Sequence, residues 1–278
     1  SYPEIYKLLG DLEDIKPEIR EYIEYDPTII LPDIEVIPTT LQVLDVALGG
    51  GIAHGEYGLL VGDTSAGKSA LLTILGLNAA LRGVRVVLFL HELSKVKVLQ
   101  RLHSQFTTIY GSAERGKIEL EKFGGRLLLY DLSDKATTPN TLRYALETLK
   151  RDGIKITLVC NDYLDEMVAE GGSAADPYIN QGLVLQENKR IAKHFGVGWG
   201  DATQAVRGSS NNMWIKKWDT ADSYNKSRKT DIWISLNQTP AEREVKVMRL
   251  LLDKFNRGEA PVKMKIGIDF EGMVAWDV

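Results

Sequence analysis

The sequence contains a single cysteine, Cys160, among 278 residues. One cysteine cannot form a disulfide within the chain, nor can it supply a zinc or iron–sulfur site that needs several cysteine ligands. The sequence also lacks a run of ~18 apolar residues, which a membrane-spanning helix requires, so we expect no membrane partner. The composition is otherwise that of a globular protein, with 44% hydrophobic and 26% charged residues.

The sequence has no overall excess of positive charge, since the formal net charge is −4. The charge is nevertheless unevenly distributed. Residues 1–35 contain ten acidic and three basic side chains, whereas residues 207–229 contain six basic and two acidic ones. A basic stretch of this kind is most often a solvated surface, and a contact with nucleic acid is the alternative.

Short apolar runs alternate with segments of helical periodicity from residue 36 onward. This alternation predicts an α/β fold, in which a mostly parallel, twisted sheet carries helices on both faces. Residues 3–24 are predicted to form an amphipathic helix in a linker or assembly segment, 1–35, which precedes a domain of residues 36–278. The predicted strands cover about 57–61, 84–90, 126–131, 156–160, 196–203, 231–236, 248–253 and 262–270. The predicted helices cover about 68–81, 96–108, 141–150 and 183–195, with an exposed Gly-rich, charged segment between 108 and 126.

A phosphate-binding pattern lies between the first long strand and the first long helix of this domain. The pattern G-x-x-x-x-G-K-[ST] is complete, and its glycines allow successive N–H groups to converge on phosphate oxygens at a helix amino terminus. In such a loop Lys68 contacts the β- and γ-phosphates and the Ser69 hydroxyl ligates Mg²⁺. The sequence therefore predicts a site for ATP, or another nucleoside triphosphate, and Mg²⁺. Its residues are Gly62, Asp63, Thr64, Ser65, Ala66, Gly67, Lys68 and Ser69.

Carboxylates follow two other predicted strands. Asp162 comes directly after an apolar strand and is the candidate for holding the metal through its water shell, while Asp165 and Glu166 lie farther on and are weaker rivals. Glu92 follows another buried strand, at the sheet edge where ligands bind, and is a candidate for the general base. A helix-capping acid is the alternative for Glu92. The adjacent His91 is expected to be a packing or hydrogen-bonding residue.

Taken in order, several motifs resemble those of RecA-type ATPase cores, and in particular of DnaB-like replicative helicases. The segment FLHELS, followed by QRL, resembles the helicase SLEMS…QRL segment, and Asp162-Tyr163-Leu164 resembles the DYL motif. Ala202-Thr203-Gln204 resembles the strand whose Gln senses the γ-phosphate. The stretches at 230–236 and 253–258 resemble ADLVISL and AKxRNG, respectively. The resemblance covers residues 36–278 and favours a phage or plasmid member.

This resemblance implies a homo-oligomer, usually a ring of six subunits, that hydrolyses nucleotide at subunit boundaries and moves along single-stranded DNA. It implies the cytoplasm of a bacterial or phage-infected cell, with a primase or a helicase loader as further candidate partners. Carried over by position, Lys68 and Ser69 bind phosphate and metal, Asp162 binds the metal, Glu92 activates water and Gln204 reports the γ-phosphate.

The closing segment of the family carries basic fingers that reach a neighbour's nucleotide, with a Lys and an Arg two residues apart. Here the order is Lys254-Phe255-Asn256-Arg257. Either Arg257 is the finger with a shifted backbone, or Asn256 occupies the slot; we favour Arg257 beside Lys254.

Two loops that line the DNA channel of the family correspond to residues 165–178 and 206–222. The first contains no basic side chain. In the second, Trp214 and Trp218 either stack on bases or pack the loop down. The basic residues expected to contact DNA are Arg207, Lys216 and Lys217.

Two other functions remain open on the sequence alone. A RecA/RadA/KaiC-like ATPase would act as a recombinase or a regulatory switch, and the DYL and closing motifs argue against it. An accessory subunit related to the helicases would keep the phosphate loop without hydrolysis, and the irregular finger spacing leaves this alternative open.

Overall fold

The computed structural model describes residues 33–170, 177–205, 213–219 and 223–278. The chain divides into two units between Asp33 and Ile34. The predicted helix over 3–24, and nearly all of the segment 1–35, lies outside the described residues. None of the described helices is both long enough and apolar enough to cross a membrane.

Strands and helices alternate through most of the described chain. The strands are β1 (Val36–Ile37), β2 (Ile52–Ala53), β3 (Tyr57–Gly62), β4 (Arg85–Leu90), β5 (Arg126–Asp131), β6 (Leu158–Asp162), β7 (Gly198–Gln204), β8 (Ile232–Asn237), β9 (Val247–Phe255), β10 (Val262–Asp269) and β11 (Val274–Asp277). The helices are α1 (Gln42–Ala47), α2 (Lys68–Ala80), α3 (Lys95–Tyr110), α4 (Ala113–Lys122), α5 (Pro139–Arg151), α6 (Pro177–Phe195), α7 (Ser223–Lys229) and α8 (Pro240–Glu244). Short 3₁₀ turns cover Leu164–Glu166 and Lys217–Asp219.

The large sheet has the strand order β11–β10–β9–β8–β3–β7–β6–β4–β5, and β1 pairs with β2 separately. The strands from β8 to β5 are parallel to their neighbours. β9, β10 and β11 extend the sheet in antiparallel fashion at one edge. The predicted α/β fold with a mostly parallel sheet is confirmed.

Alternate side chains of the central strands enter apolar cores on the two faces of the sheet. In β3, Leu60 belongs to the same apolar cluster as Leu71 of α2. Its neighbours Leu59 and Val61 belong to the cluster that contains Leu146 of α5. Every residue of β3 is buried, as expected for a parallel strand covered on both faces.

The segment between 108 and 126 was predicted to be an exposed loop, and this prediction is wrong, because it contains helix α4. The Ser112 hydroxyl caps the helix by accepting a hydrogen bond from the Arg115 N–H at 3.2 Å. Within α4 only Gly116 is buried, so the helix lacks the apolar stripe that reveals helical periodicity. A β-carbon on Gly116 would lie 2.1 Å from the Phe106 ring, which explains the glycine. The short elements β1, β2, α1, α7, α8 and β11 were not predicted either.

Candidate nucleotide-binding site

The predicted site residues follow neighbouring parallel strands at one edge of the sheet. Gly62 at the end of β3 pairs with Gln204 at the end of β7. Asp162 at the end of β6 pairs with Leu90 at the end of β4, and Glu92 follows shortly after. Because these four strands are adjacent and parallel, their carboxyl ends form the edge at which open α/β sheets bind ligands.

A cavity of about 320 Å³ opens at this edge, a volume within the range of small-molecule sites. Several predicted residues line it, together with three that were not predicted to be site residues. The predicted ones are Thr64, Ser65, Gly67, Lys68, Ser69, Glu92 and Gln204, and the others include Arg101, Arg243 and Phe270.

The phosphate loop is a tight turn between β3 and α2. The Ala66 N–H donates to the Asp63 carbonyl at 3.1 Å. Gly67 has a φ of 90°, and a β-carbon there would lie 2.4 Å from the Phe270 ring, so glycine is required. Helix α2 begins at the next residue, and the first N–H groups of a helix have no acceptor within it. The loop therefore presents an anion-binding helix amino terminus.

Lys68, at the first position of α2, is almost buried. Its Nζ donates to the carbonyl oxygens of Gly62 at 3.0 Å and Asp63 at 2.8 Å. Burial lowers the pKa of the Lys68 ammonium, and the carboxylates of Asp165 and Asp162 act in the opposite direction. The cation is thus held beside the loop, close to the helix amino terminus.

Ser69 and Asp162 meet as the predicted metal site requires. The Ser69 hydroxyl donates to Asp162 Oδ1 at 2.7 Å. Burial raises the pKa of Asp162 to about 6, and the hydrogen bond from Ser69 and the charge of Arg101 act against this rise. Among the described residues, no group of three His, Cys, Asp or Glu side chains is placed to hold a metal ion. Two oxygen ligands suit Mg²⁺, which usually takes its remaining ligands from water and phosphate.

Arg101 of α3 adds a second cation, which the sequence analysis quoted only as part of the QRL motif. Its Nη1 atom is buried and has no hydrogen-bond partner in the described part of the chain. Buried donors are normally paired. An unpaired guanidinium N–H beside the same cavity as Lys68 therefore fits an anionic ligand.

Glu92 and Gln204 line the cavity from different strand ends. Glu92 is exposed, so water can reach the position that we predicted for the general base. The Gln204 side chain donates to the Tyr163 hydroxyl at 3.5 Å. Both residues are therefore placed at the cavity, and their roles stay predictions.

His91 belongs to a buried hydrogen-bond network beneath the site. Its Nε2 donates to Asn161 Oδ1 at 2.7 Å, and Asn161 Nδ2 donates in turn to Asp201 at 3.1 Å. Asp201 also accepts from the Tyr57 hydroxyl at 2.6 Å. His91 thus has the hydrogen-bonding role that the sequence analysis expected.

Arg243 and Phe270 were missed by the sequence analysis. The Arg243 guanidinium carbon lies 4.9 Å from the centre of the Phe270 ring, and Arg243 Nη1 donates to the Ser65 carbonyl at 3.3 Å. The two side chains form a flat surface beside the phosphate loop. Sequence alone offered only the start of α8 as a signal, where Thr239 and Glu242 form a capping box.

The residues of the closing segment contact their own chain. Lys254 Nζ donates to the carbonyl oxygens of Ser227 and Thr230, both at 2.6 Å. Arg257 Nε donates to Glu56 Oε1 at 2.5 Å, and Nη2 donates to the Gly51 carbonyl at 2.7 Å. Asn256 likewise donates to Asp231 Oδ1 at 2.7 Å. None of the three lines the cavity beside Lys68.

The second predicted DNA loop is described only in part, and Arg207 lies outside the described residues. The Lys217 N–H donates to Asp253 Oδ2 at 2.6 Å. Lys216 Nζ lies 5.1 Å from the centre of the Trp218 ring, and Trp218 is 62% exposed.

The two tryptophans of this loop differ in their surroundings. Trp214 lies beside two cations of the sheet, with Arg249 at 5.0 Å and Lys263 at 5.2 Å from its ring centre. Trp214 is therefore packed against its own chain, whereas Trp218 remains available for stacking.

The fold is that of a RecA-like helicase ATPase domain, as comparison with solved structures shows. A DnaB-like replicative helicase, solved with its interactions with primase, is 16% identical over 99% of this chain and 71% of that one, with a TM-score of 0.75. A second neighbour, an ATPase domain solved on its own, is 15% identical over 99% of this chain and 98% of that one, with a TM-score of 0.74. The RadB recombinase is 19% identical over 87% of this chain and 100% of that one, with a TM-score of 0.58. No protein-family model and no curated protein sequence matches the chain. The resemblance seen in the motifs is thus confirmed at the level of the fold.

Proposed function

We propose that this protein is an NTP-hydrolysing ring translocase, a helicase that moves along single-stranded DNA and unwinds duplex DNA during replication. The observation that carries this proposal is the contact between Ser69 and Asp162 beside Lys68, at the strand ends of a RecA-like sheet. The fold neighbours among helicase ATPase domains support the same function.

In the proposed reaction, the loop N–H groups and Lys68 bind the phosphates of ATP or another nucleoside triphosphate. Ser69 and Asp162 hold Mg²⁺, which, when bound, neutralises charge on the β- and γ-phosphate oxygens. Glu92 accepts a proton from the attacking water. Gln204 contacts the γ-phosphate and reports its presence.

Arg243 and Phe270 are the proposed contacts of the nucleobase. A base that lies on the Phe270 ring would gain stacking energy, and Arg243 adds a planar cation at the same surface. Both side chains touch the phosphate loop, Arg243 through Ser65 and Phe270 at Gly67. The phosphates and the base of one nucleotide can therefore bind in a single cavity.

We propose that the site is completed across a subunit boundary in a homohexameric ring. Lys254 is the better-supported finger, because its ammonium contacts two carbonyl oxygens, which a phosphate can replace without leaving a carboxylate unpaired. Arg257 would have to leave Glu56 in order to reach a neighbour. Its role as a finger stays a prediction.

Single-stranded DNA is the proposed polymer substrate. Arg207, Lys216 and Lys217 are the proposed phosphate contacts, and the exposed ring of Trp218 is available to stack on a base. One fold neighbour was solved with its interactions with primase, which supports a primase as a candidate partner, and a helicase loader is another.

The test is the hydrolysis rate with and without oligo(dT), together with a native mass measurement. We expect a DNA-stimulated hexamer, with turnover abolished in Lys68→Ala and retained in Lys117→Ala, which changes an exposed lysine of α4. Near-normal turnover in Lys68→Ala would remove the phosphate-loop assignment. An assembly whose hydrolysis ignores DNA favours a RecA/RadA/KaiC-like recombinase or switch, and a wild type without hydrolysis favours an accessory subunit.

A further inference from the structure

Asp165 lies in a buried polar cluster with Thr203 and Lys226, which we name the Asp165 cluster. The Thr203 hydroxyl donates to Asp165 Oδ1 at 2.8 Å and accepts from Lys226 Nζ at 3.0 Å. Lys226 Nζ lies 3.7 Å from Asp165 Oδ1. The cluster joins three segments, namely the 3₁₀ turn after β6, the end of β7 and helix α7. The sequence analysis treated Asp165 as a rival metal ligand, but the Ser69 hydroxyl contacts Asp162 instead.

The same carboxylate also holds the backbone of the proposed γ-phosphate sensor. The Gln204 N–H donates to Asp165 Oδ2 at 2.8 Å, so Asp165 binds Gln204 through one oxygen and contacts Lys226 through the other. Gln204 lines the nucleotide cavity. Lys226 belongs to α7, which begins directly after the predicted DNA-binding segment 206–222. One side chain thus connects the cavity to the helix that follows the predicted DNA contacts.

The Asp165 cluster is shielded from water. Thr203 is fully buried and Lys226 is 2% exposed. Separating a buried ion pair is strongly unfavourable, because little water is present to solvate the separated charges. Packed elements with such contacts change between discrete arrangements instead of deforming continuously. A shift of α7 would therefore move Asp165 with it or break the cluster.

We propose that the Asp165 cluster couples DNA binding to the γ-phosphate sensor, because a displacement of α7 reaches the Gln204 backbone through Lys226, Thr203 and Asp165. This inference rests on the proposed function of the site. The three side chains of the cluster are positioning residues, since none of them lines the nucleotide cavity.

The experiment compares Lys226→Met with the wild type in the full chain. Lys229→Met is the matched control, because Lys229 lies on the same helix but donates to the Gly182 carbonyl at 2.9 Å. Hydrolysis is measured with and without oligo(dT). The affinity for fluorescent oligo(dT) is measured with and without a non-hydrolysable ATP analogue. Melting temperature and analogue affinity report on folding and on the nucleotide site.

We expect Lys226→Met to reduce the stimulation of hydrolysis by oligo(dT) at least about fivefold, the lower end of typical couplings between sites. The affinity for the analogue stays unchanged. The effect of the analogue on oligo(dT) affinity falls in parallel, because coupling between two binding sites is reciprocal. Lys229→Met keeps the wild-type ratios, and Lys226→Arg, which retains the charge, recovers most of the stimulation.

Wild-type stimulation in a folded Lys226→Met protein overturns the proposal. If that variant does not fold, Thr203→Val replaces it, since it removes the shared hydroxyl and nearly keeps the shape; full stimulation in Thr203→Val is equally fatal. A wild type that ignores oligo(dT) overturns the proposed function and the coupling together. A stimulated wild type with equally stimulated variants overturns the coupling alone.

Discussion

Replacing Arg257 by methionine tests whether this residue stabilises its own subunit. Arg257 is bound to Glu56 and to the Gly51 carbonyl, and the side chains of Arg257 and Glu56 are only 18% and 12% exposed. Methionine keeps an unbranched apolar stem but has no donor. The variant therefore removes the cation from Glu56 with little loss of packing.

The expected loss follows from the groups left unpaired. The Glu56 carboxylate still accepts the Ala53 N–H at 2.8 Å, but it loses its only cation among the ion pairs of the described residues. Breaking a fully buried pair costs about 3–5 kcal/mol, whereas an exposed pair contributes at most about 1 kcal/mol. This pair is slightly exposed, so we expect a loss of about 3 kcal/mol. For a chain of this size, the Tm should fall by about 6–12 °C.

Thermal denaturation of Arg257→Met, Glu56→Gln and the double variant measures this contribution. We expect the double variant to lose less stability than the sum of the single variants, because the two residues are in contact. Lys117→Met is the control, since Lys117 and Glu121 form an exposed pair on α4, and its Tm should change little.

A Tm for Arg257→Met equal to that of the wild type would refute the structural role. Hydrolysis measured well below the Tm then decides the separate question of the finger. Loss of an arginine finger lowers the rate by about 10³–10⁵-fold. A purely structural role leaves the rate per folded subunit unchanged.

Three further changes address the nucleotide and DNA contacts. Glu92→Gln should retain nucleotide affinity in a titration while hydrolysis falls more than about tenfold, because the general base is lost; unchanged hydrolysis would transfer the role elsewhere. Phe270→Leu should raise the KM for nucleotide about two- to tenfold, since an aromatic contact contributes about 0.5–1.5 kcal/mol; an unaltered KM would place the base on another surface. Replacing Lys216 and Lys217 together by alanine should weaken oligo(dT) binding and flatten its salt dependence, because fewer phosphates are neutralised. A slope like that of the wild type would mean that both side chains point away from DNA.

The long strands could be predicted because parallel strands covered on both faces need continuous apolar runs. The six residues of β3 are all buried, and the prediction over 57–61 misses one residue of that strand. Helix α4 escaped prediction for the opposite reason. Its side chains are mostly solvated, so sequence periodicity carried no signal, and the cap at Ser112 was the feature that could have located it.

The candidate site was predictable to the extent that it lies at strand ends. Gly62, Asp162 and Gln204 were chosen because each ends or follows an apolar run, and parallel strands bring such ends to one edge. Arg243 and Phe270 were not predictable in this way. They follow strands β8 and β10, and only the folded sheet shows that Phe270 reaches Gly67.

Asp165 shows where strand-end reasoning reaches its limit. Chain order ranks it after Asp162 as a possible metal ligand, but sheet order decides its partners, because β7 lies directly beside β6. The end of β7 brings Thr203 and the Gln204 N–H to Asp165. A carboxylate that accepts these bonds and faces Lys226 at 3.7 Å has little capacity left for a metal ion. The same neighbouring strands that place Asp162 at Ser69 therefore commit Asp165 to the sensor strand.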